Sequence, residues 1–512
     1  MKTLIARRRY LAAALAVSTV LTAAACGDDG EQASSDTITM MAPLFGTAPD
    51  PGGEVQKAVE ALIGKKLDIT WVPNADYGDK TNVVLASNNI PQVMVIQGDK
   101  GPSFVRAAQA GAFWDLTDKL DKYENLKPAD PQTAKNTLVN GKRYGIYRVR
   151  PLLRSAVMIR KDWLAKVGLP LPESVDDLYR IAKAFTEQDP DGNGKKDTYG
   201  LIIPKWPTPV FSSSSPYNIF ETWYGTPTGW GERNGKLVPA FDTEEFYTAE
   251  RALKKWVDEG LVNPDFATLD SANWNDPFVQ GKGGIIIDVN VRATPQLTEL
   301  FKEKNPKDFD KVAMVGNLKR ADGQKFSAPF LGYAGVLAVS KQKVRTEEQL
   351  DQLLQVLDKL ESKQGSILLT NGIEGRNFKV EGKYAVPINE SDPQFKVIQN
   401  DVEKAFIQIG TRASVGLGAY PLKPNDEPSR QLLELRDKVV AEDLKTAVHD
   451  PALSVVSPTY IQKGATLDPI VSDARIKYLS GAITEEQLRA EVKRWYDSGG
   501  TDVTQEINDL LK

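Results

Sequence analysis

At 512 residues the chain is longer than one hydrophobic core serves, so two or three cores are expected. Its 41% hydrophobic and 26% charged residues are those of a folded globular protein and exclude long disordered tracts. The formal charge is −4. The first 25 residues hold four basic side chains and no acid, so the remainder carries −8 and lacks the basic face that nucleic acid requires.

The chain opens with a basic stretch, Lys2 to Arg9, followed by an apolar run, Tyr10 to Leu21, that is too short to span a bilayer. Small residues come next, which is the layout of a secretory signal over residues 1–25. Arg7-Arg8-Arg9-Tyr10-Leu11 fits a twin-arginine pattern as well as an ordinary basic n-region, so both export routes stay open. Cys26 is the only cysteine and forms no internal disulfide. Its place after Leu21-Thr22-Ala23-Ala24-Ala25 resembles a bacterial lipobox, with Ala23 where Leu is usual. That resemblance implies acylation of Cys26, and acyl chains anchor by about 0.8 kcal/mol per buried CH₂. Residues 26–36 are polar and Gly-containing, the composition of a tether.

From Thr37 the pattern alternates. A strand is expected at Thr37–Ala42, a helix at Glu54–Ile63, a strand at Leu67–Val72, a helix at Tyr77–Ala86 and a buried strand at Gln92–Ile96. A second α/β region starts near Val157, with a helix over Val175–Phe185 and strands at Tyr199–Ile203 and Gly283–Asp288. Alternation at this spacing predicts mostly parallel sheets flanked by helices, with ligands bound beyond the carboxyl ends of the strands. Ser327–Ser340 reads as a loop feeding a strand that returns to the first region, and Thr346–Leu360 as an amphipathic helix. The C-terminal third is mainly helical.

Asp189-Pro190-Asp191-Gly192-Asn193-Gly194-Lys195-Lys196-Asp197 follows a calcium loop over most of its length. Side-chain oxygens fall at positions 1, 3, 5 and 9, a Gly at position 6 makes the turn, and the Lys195 carbonyl takes position 7. Gly200 stands where an EF-hand needs its bidentate Glu, and a strand rather than a helix follows. The expectation is a structural Ca²⁺, weighed against a solvated Asp/Gly/Asn turn.

This loop and the segment before it, Lys161-Asp162-Trp163-Leu164-Ala165-Lys166-Val167-Gly168-Leu169-Pro170, resemble the family 1 extracellular solute-binding proteins of ABC importers. The branch closest in pattern contains the alginate-oligosaccharide-binding proteins. Trp256 to Pro264, Asn371-Gly372-Ile373-Glu374-Gly375-Arg376-Asn377-Phe378 and Asp473 to Leu488 follow the same order. The resemblance implies a type II periplasmic-binding-protein fold, two α/β lobes around a cleft that closes on a sugar. Lobe 1 is expected over residues 37–150 and 333–388, and lobe 2 over 151–332 and 389–512. It also implies Ca²⁺ held by Asp189, Asp191, Asn193, the Lys195 carbonyl and Asp197, although Thr198 stands where the branch often carries a Glu. The implied partners are an oligosaccharide, an ABC permease and, through the acylated Cys26, the outer face of the cell membrane; a monomer is expected.

Sugar C–H faces pack on aromatic rings and sugar hydroxyls take polar partners. Trp206, Trp223, Trp230 and Trp274 lie in loop-rich stretches of the second lobe and are candidates for the cleft, against packing under their own loops. Trp71 and Tyr77 near the second strand, and Tyr333 beside the returning strand, are further candidates. Arg150, Arg154, Arg292 and Arg376 suit a carboxylated sugar, against surface ion pairs. With one His and one Cys, His-centred zinc sites, Ser-His-Asp triads and Cys-His nucleophiles are excluded. No motif pairs two carboxylates across a glycosidic bond. Binding without catalysis is the expectation; a surface glycoside hydrolase or polysaccharide lyase, or a binder of peptide or another solute, are the alternatives.

Overall fold

The computed structural model describes residues 36–512 except residues 88, 207–214, 305–309, 413–416 and 425. The signal segment, Cys26 and residues 27–35 of the tether lie outside the described residues.

Ile38–Lys512 forms one compact unit. Its two main sheets use, in chain order, β1 (Thr37–Leu44), β2 (Lys66–Pro73), β3 (Val93–Ile96), β4 (Ile146–Val149), β5 (Ser155–Arg160), β6 (Tyr199–Ile202), β7 (Gly283–Val289), β8 (Val312–Val315) and β9 (Tyr333–Val339). The first sheet runs β2-β1-β3-β9-β4 and the second β8-β5-β7-β6. Each is the centre of a lobe, and the chain crosses between them after β4 and again before β9.

Alternation fixes which residues of the second sheet meet which core. Val157, Ile159, Ile285 and Ile287 enter one apolar cluster, while Ala156, Met158 and Ile286 enter another on the opposite face. The flanking helices are written locally. Ser174 accepts from the Asp177 N–H while Asp177 returns to the Ser174 N–H, a capping box that starts Val175–Glu187 and buries Leu178, Ile181 and Phe185. Thr346 caps Glu347–Leu360, which buries Leu350, Leu353, Leu354 and Leu357 on the first sheet.

Two expectations are corrected. The sheets are less parallel than the alternation implied: β1 and β3 are parallel, as are β6 and β7, but β9 runs antiparallel to β3 and β4, and β5 antiparallel to β7 and β8. The reason is geometric. Strands β5 and β9 begin directly at the crossings and so start at the cleft end, where β3 finishes. The first core also extends beyond residue 388, taking Ile398, Val402, Phe406 and Ile409. Helix Pro393–Asn400 and the turns after it lay these residues against the first lobe. Leu467, Val471, Leu488, Val492 and Trp495 of the C-terminal helices enter the second core.

Candidate ligand-binding site

A cavity of about 520 Å³ opens between the two sheets and takes walls from both lobes. Such a volume suits a small molecule of several rings. The first lobe supplies Asp99 and Lys100, placed just past the carboxyl end of β3 by a turn at Gly98, and Tyr333 at the start of β9. The crossings supply Arg150, Arg154 and Phe330. From the second lobe come Asn218, Glu221, Trp230, Asp450, Tyr460 and Asp468.

Most of the polar groups are already positioned. The Tyr333 hydroxyl donates to the Asp99 carboxylate, and burial beside that acid pushes its pKa up. The Lys100 ammonium donates to the carbonyls of Asn136, at 2.7 Å, and Leu453, with burial lowering its pKa. Glu221 accepts from Arg475 and from the Asn218 amide, both at 2.8 Å. Behind it the fully buried Glu250 has its pKa raised well above normal, by burial and by the nearby Glu221 charge. The Tyr460 hydroxyl is 2.9 Å from the Asp468 carboxylate oxygens. Asp450 accepts from the Ala452 N–H at 2.8 Å and is pushed up to about 7, chiefly by burial. Its carboxyl lies so close to Gly229 that a Cβ there would stand 2.0 Å from Oδ2, and φ of +68° at Gly229 also demands glycine.

Of the sequence candidates, Trp230 and Tyr333 line the cavity, and so do Arg150 and Arg154. The others are placed elsewhere. Tyr77 is buried, its hydroxyl within hydrogen-bond distance of the Met41 and Val95 carbonyls. Trp71 packs edge-on against Phe406 at 5.5 Å. Trp223 is fully buried and donates to the Asn317 side chain at 2.9 Å. Trp206 packs on Trp274 at 5.8 Å, and buried Trp274 donates to the Ile202 carbonyl at 3.1 Å. Arg292 lies over the Trp274 ring at 4.3 Å and is taken by Asp288 and Asn275. Arg376 is paired with Glu54 and Asp392 on the surface. For the tryptophans the reason is area: Trp223, which ends helix Pro216–Trp223 and is not in a loop, and Trp206 and Trp274 find nearby apolar partners more cheaply than they stay in a wet cleft. Asp99, Lys100, Glu221, Asp450, Tyr460 and Asp468 were missed, since single polar residues far apart in the chain carry no local pattern.

The acidic loop lies outside the cavity. Asp189, at φ +49°, accepts from the N–H groups of Gly192, Asn193 and Gly194 at 3.0–3.1 Å. The Asn193 amide nitrogen stands 2.7 Å from Asp191 and 3.0 Å from Asp197, joining two carboxylates as a cation would. Lys282 pairs with Asp197 at 2.7 Å and holds that carboxyl below its usual range. A half-turn of Asn193 exchanges its amide N for O, so the donor set suits a hard cation. Among the described residues no cluster of three His, Cys, Asp or Glu has a metal-holding arrangement.

Residues 48–316 match the family of bacterial extracellular solute-binding proteins. Over its whole length the chain is also similar to lipoprotein LipO of Bacillus subtilis, with 38% identity over 99% of this chain and 98% of the relative.

The chain belongs to this family.

It is a two-lobe solute-binding protein with a cavity between its lobes. A second Bacillus subtilis relative, the polygalacturonan/rhamnogalacturonan-binding protein YtcQ, shares 35% identity over 93% of this chain and 91% of its own length. Among solved structures, alginate-binding protein AlgQ2, in a crystal described as without calcium ion, superposes with a TM-score of 0.62. That match has 18% identity and covers 93% of this chain and 97% of AlgQ2, so it reports fold.

Proposed function

We propose that this solute-binding protein captures an oligosaccharide in the interlobe cleft and delivers it, unchanged, to an ABC permease. The observation that carries the reading is a cavity walled by both lobes, with Trp230 and Phe330 among hydroxyl-bonding side chains. Aromatic faces with flanking carboxylates, amides and hydroxyls are what a polyhydroxylated ring selects. Contacts from both lobes form only when the cleft is shut, so ligand shifts the population toward the closed state. The carboxylates of Asp99, Glu221 and Asp468 are each engaged by a neighbour, which supports holding a guest over cleaving it. YtcQ, by name a polysaccharide binder at 35% identity, supports a saccharide. The N-terminal layout and the likeness to a protein named as a lipoprotein support acylation at Cys26 on the outer face of the membrane.

The same reading gives the loop of Asp189, Asp191, Asn193, Lys195 and Asp197 a structural Ca²⁺, with the Lys195 main-chain carbonyl as one donor. The ion would supply charge to hold together carboxylates that Asn193 and Lys282 already draw in.

Calorimetric titration with an oligosaccharide panel, together with an assay for new reducing ends, tests the function. Saturable binding without product supports it; release of reducing ends shows an enzyme, and no binding to any saccharide removes the reading.

A further inference from the structure

We infer that residues 450–457 are a strap of the second lobe pinned into the first, and that this pin holds the cleft shut without help from a ligand. The inference concerns how the site closes and is independent of which solute enters it.

Both ends of the strap belong to the second lobe. Before it, the Val448 N–H donates to the Ser327 carbonyl and the Ser327 N–H to the Thr446 carbonyl, each at 3.0 Å. After it, Glu506 of helix Thr501–Leu510 accepts from the Ser457 hydroxyl. The same carboxylate accepts from the Thr459 N–H at 2.9 Å and from the Thr459 hydroxyl at 2.7 Å. Val503 and Ile507 root that helix in the second core.

The middle of the strap reaches across. Lys100 of the first lobe donates to the Leu453 carbonyl, and the Val456 N–H donates to Asn140 Oδ1 at 2.9 Å. A tight turn aims that amide. Val139 and Lys142 exchange main-chain hydrogen bonds at 2.9 and 3.2 Å, and between them Asn140 and Gly141 have φ of +50° and +84°, a type I′ turn. Val139 is buried in the first core, so the turn moves with that lobe.

Adjacent strap residues serve opposite lobes: Val455 packs on the second core and Val456 on the first. Neighbouring Cα atoms are about 3.8 Å apart, so lobes that part here by more than that lose one contact or the other. The Ser327 and Glu506 bonds keep the strap with the second lobe, and the bonds to Lys100 and Asn140 are the ones that break. These contacts join protein to protein, so they favour the closed arrangement whether the cleft is empty or filled. Asp450, Leu453 and Val456 of the strap also line the cavity. A ligand resting on that wall adds to the same state and opposes release of the pin.

The test uses the full mature chain without ligand. Its small-angle scattering is expected to match the curve calculated from this arrangement of the lobes. Asn140→Gly keeps the turn, because glycine takes positive φ freely, and removes the acceptor. It is expected to enlarge the radius of gyration and to speed hydrogen exchange of the Val456 amide roughly two- to tenfold, the effect of one hydrogen bond. Asn140→Asp keeps an oxygen in place and tolerates positive φ, and is expected to behave as the parent. Exchange in helix Glu347–Leu360 of the first lobe is expected to be the same in all three. A parent chain that scatters as a wider particle overturns the inference, and that measurement stands whether or not a variant folds. An Asn140→Gly chain with parental radius and exchange overturns it too. So does faster exchange that spreads to Glu347–Leu360, which would show lost stability in place of a lost pin. No saccharide enters these measurements, so failure of the saccharide reading and failure of the pin are read separately.

Discussion

The Lys100 ammonium, carried by the first lobe, donates to the main-chain carbonyl of Leu453 in the second. The same ammonium holds the Asn136 carbonyl of its own lobe, so one buried cation clasps the two halves. A second tie runs alongside, from the Val456 N–H to the Asn140 side chain at 2.9 Å. Lys100→Met keeps the volume and removes the clasp. Charge-assisted hydrogen bonds contribute about 1.5–3 kcal/mol, so a ligand affinity lower by roughly ten- to a hundredfold is expected. Small-angle scattering without ligand is expected to show a larger radius of gyration; an unchanged radius and affinity would remove the clasp.

Asp450 ties the cleft to pH. Its pKa of about 7 in the fold lies above the ordinary ~3.9 of an unfolded chain, so the folded state keeps the extra proton. Stability is then highest below the unfolded value and falls as pH rises from about 4 to about 7. Asp450→Asn is expected to flatten this dependence. Thermal unfolding of both proteins between pH 4.5 and 7.5 checks it, and parallel curves would show that Asp450 titrates normally.

Arg475 and Glu221 form an ion pair within the second lobe, with both side chains nearly inaccessible. Removing one partner of a buried pair costs about 3–5 kcal/mol, so Arg475→Met is expected to melt far below the parent. Burial and the nearby Glu221 charge raise the pKa of Glu250 well above normal, and Glu250→Gln is expected to melt near the parent. A large loss in Glu250→Gln would mean that its carboxyl is ionised.

Trp230 and Trp223 separate binding from packing. Trp230 borders the cavity half-buried, whereas Trp223 is fully buried against Asn317. Trp230→Ala is expected to weaken saccharide binding with little change in melting. Trp223→Ala is expected to cost about 3–5 kcal/mol of stability, read by urea denaturation. The opposite pattern would exchange the two roles.

Chelation tests the acidic loop. EDTA is expected to lower the melting temperature, Ca²⁺ but not Mg²⁺ to restore it, and Asp189→Ala to melt at the chelated temperature with no response to either. Indifference to EDTA would leave a hydrogen-bonded turn built on Asp189 and Asn193.

Periodicity and capping are local properties, and they marked the elements well. The expected helix over Glu54–Ile63 has those bounds in the structure, and Val175–Phe185 extends by two residues behind the capping box at Ser174. Strand direction was not legible, because the entry of β5 and β9 at the cleft depends on where the chain crosses between lobes.

The sequence by itself determined the alternating α/β elements and the spacing of oxygens in the acidic loop, since each is written in neighbours along the chain. Only the tertiary structure decided which aromatics border the cavity: Trp223 and Trp274 are fully buried, Trp230 packs half-buried against the second core and lines it, and residues as distant as Asp99, Arg154 and Asp450 came to share it. The physical reason is that burial and charge are settled by what stands opposite in space, and side chains hundreds of residues apart leave no mark on each other's sequence.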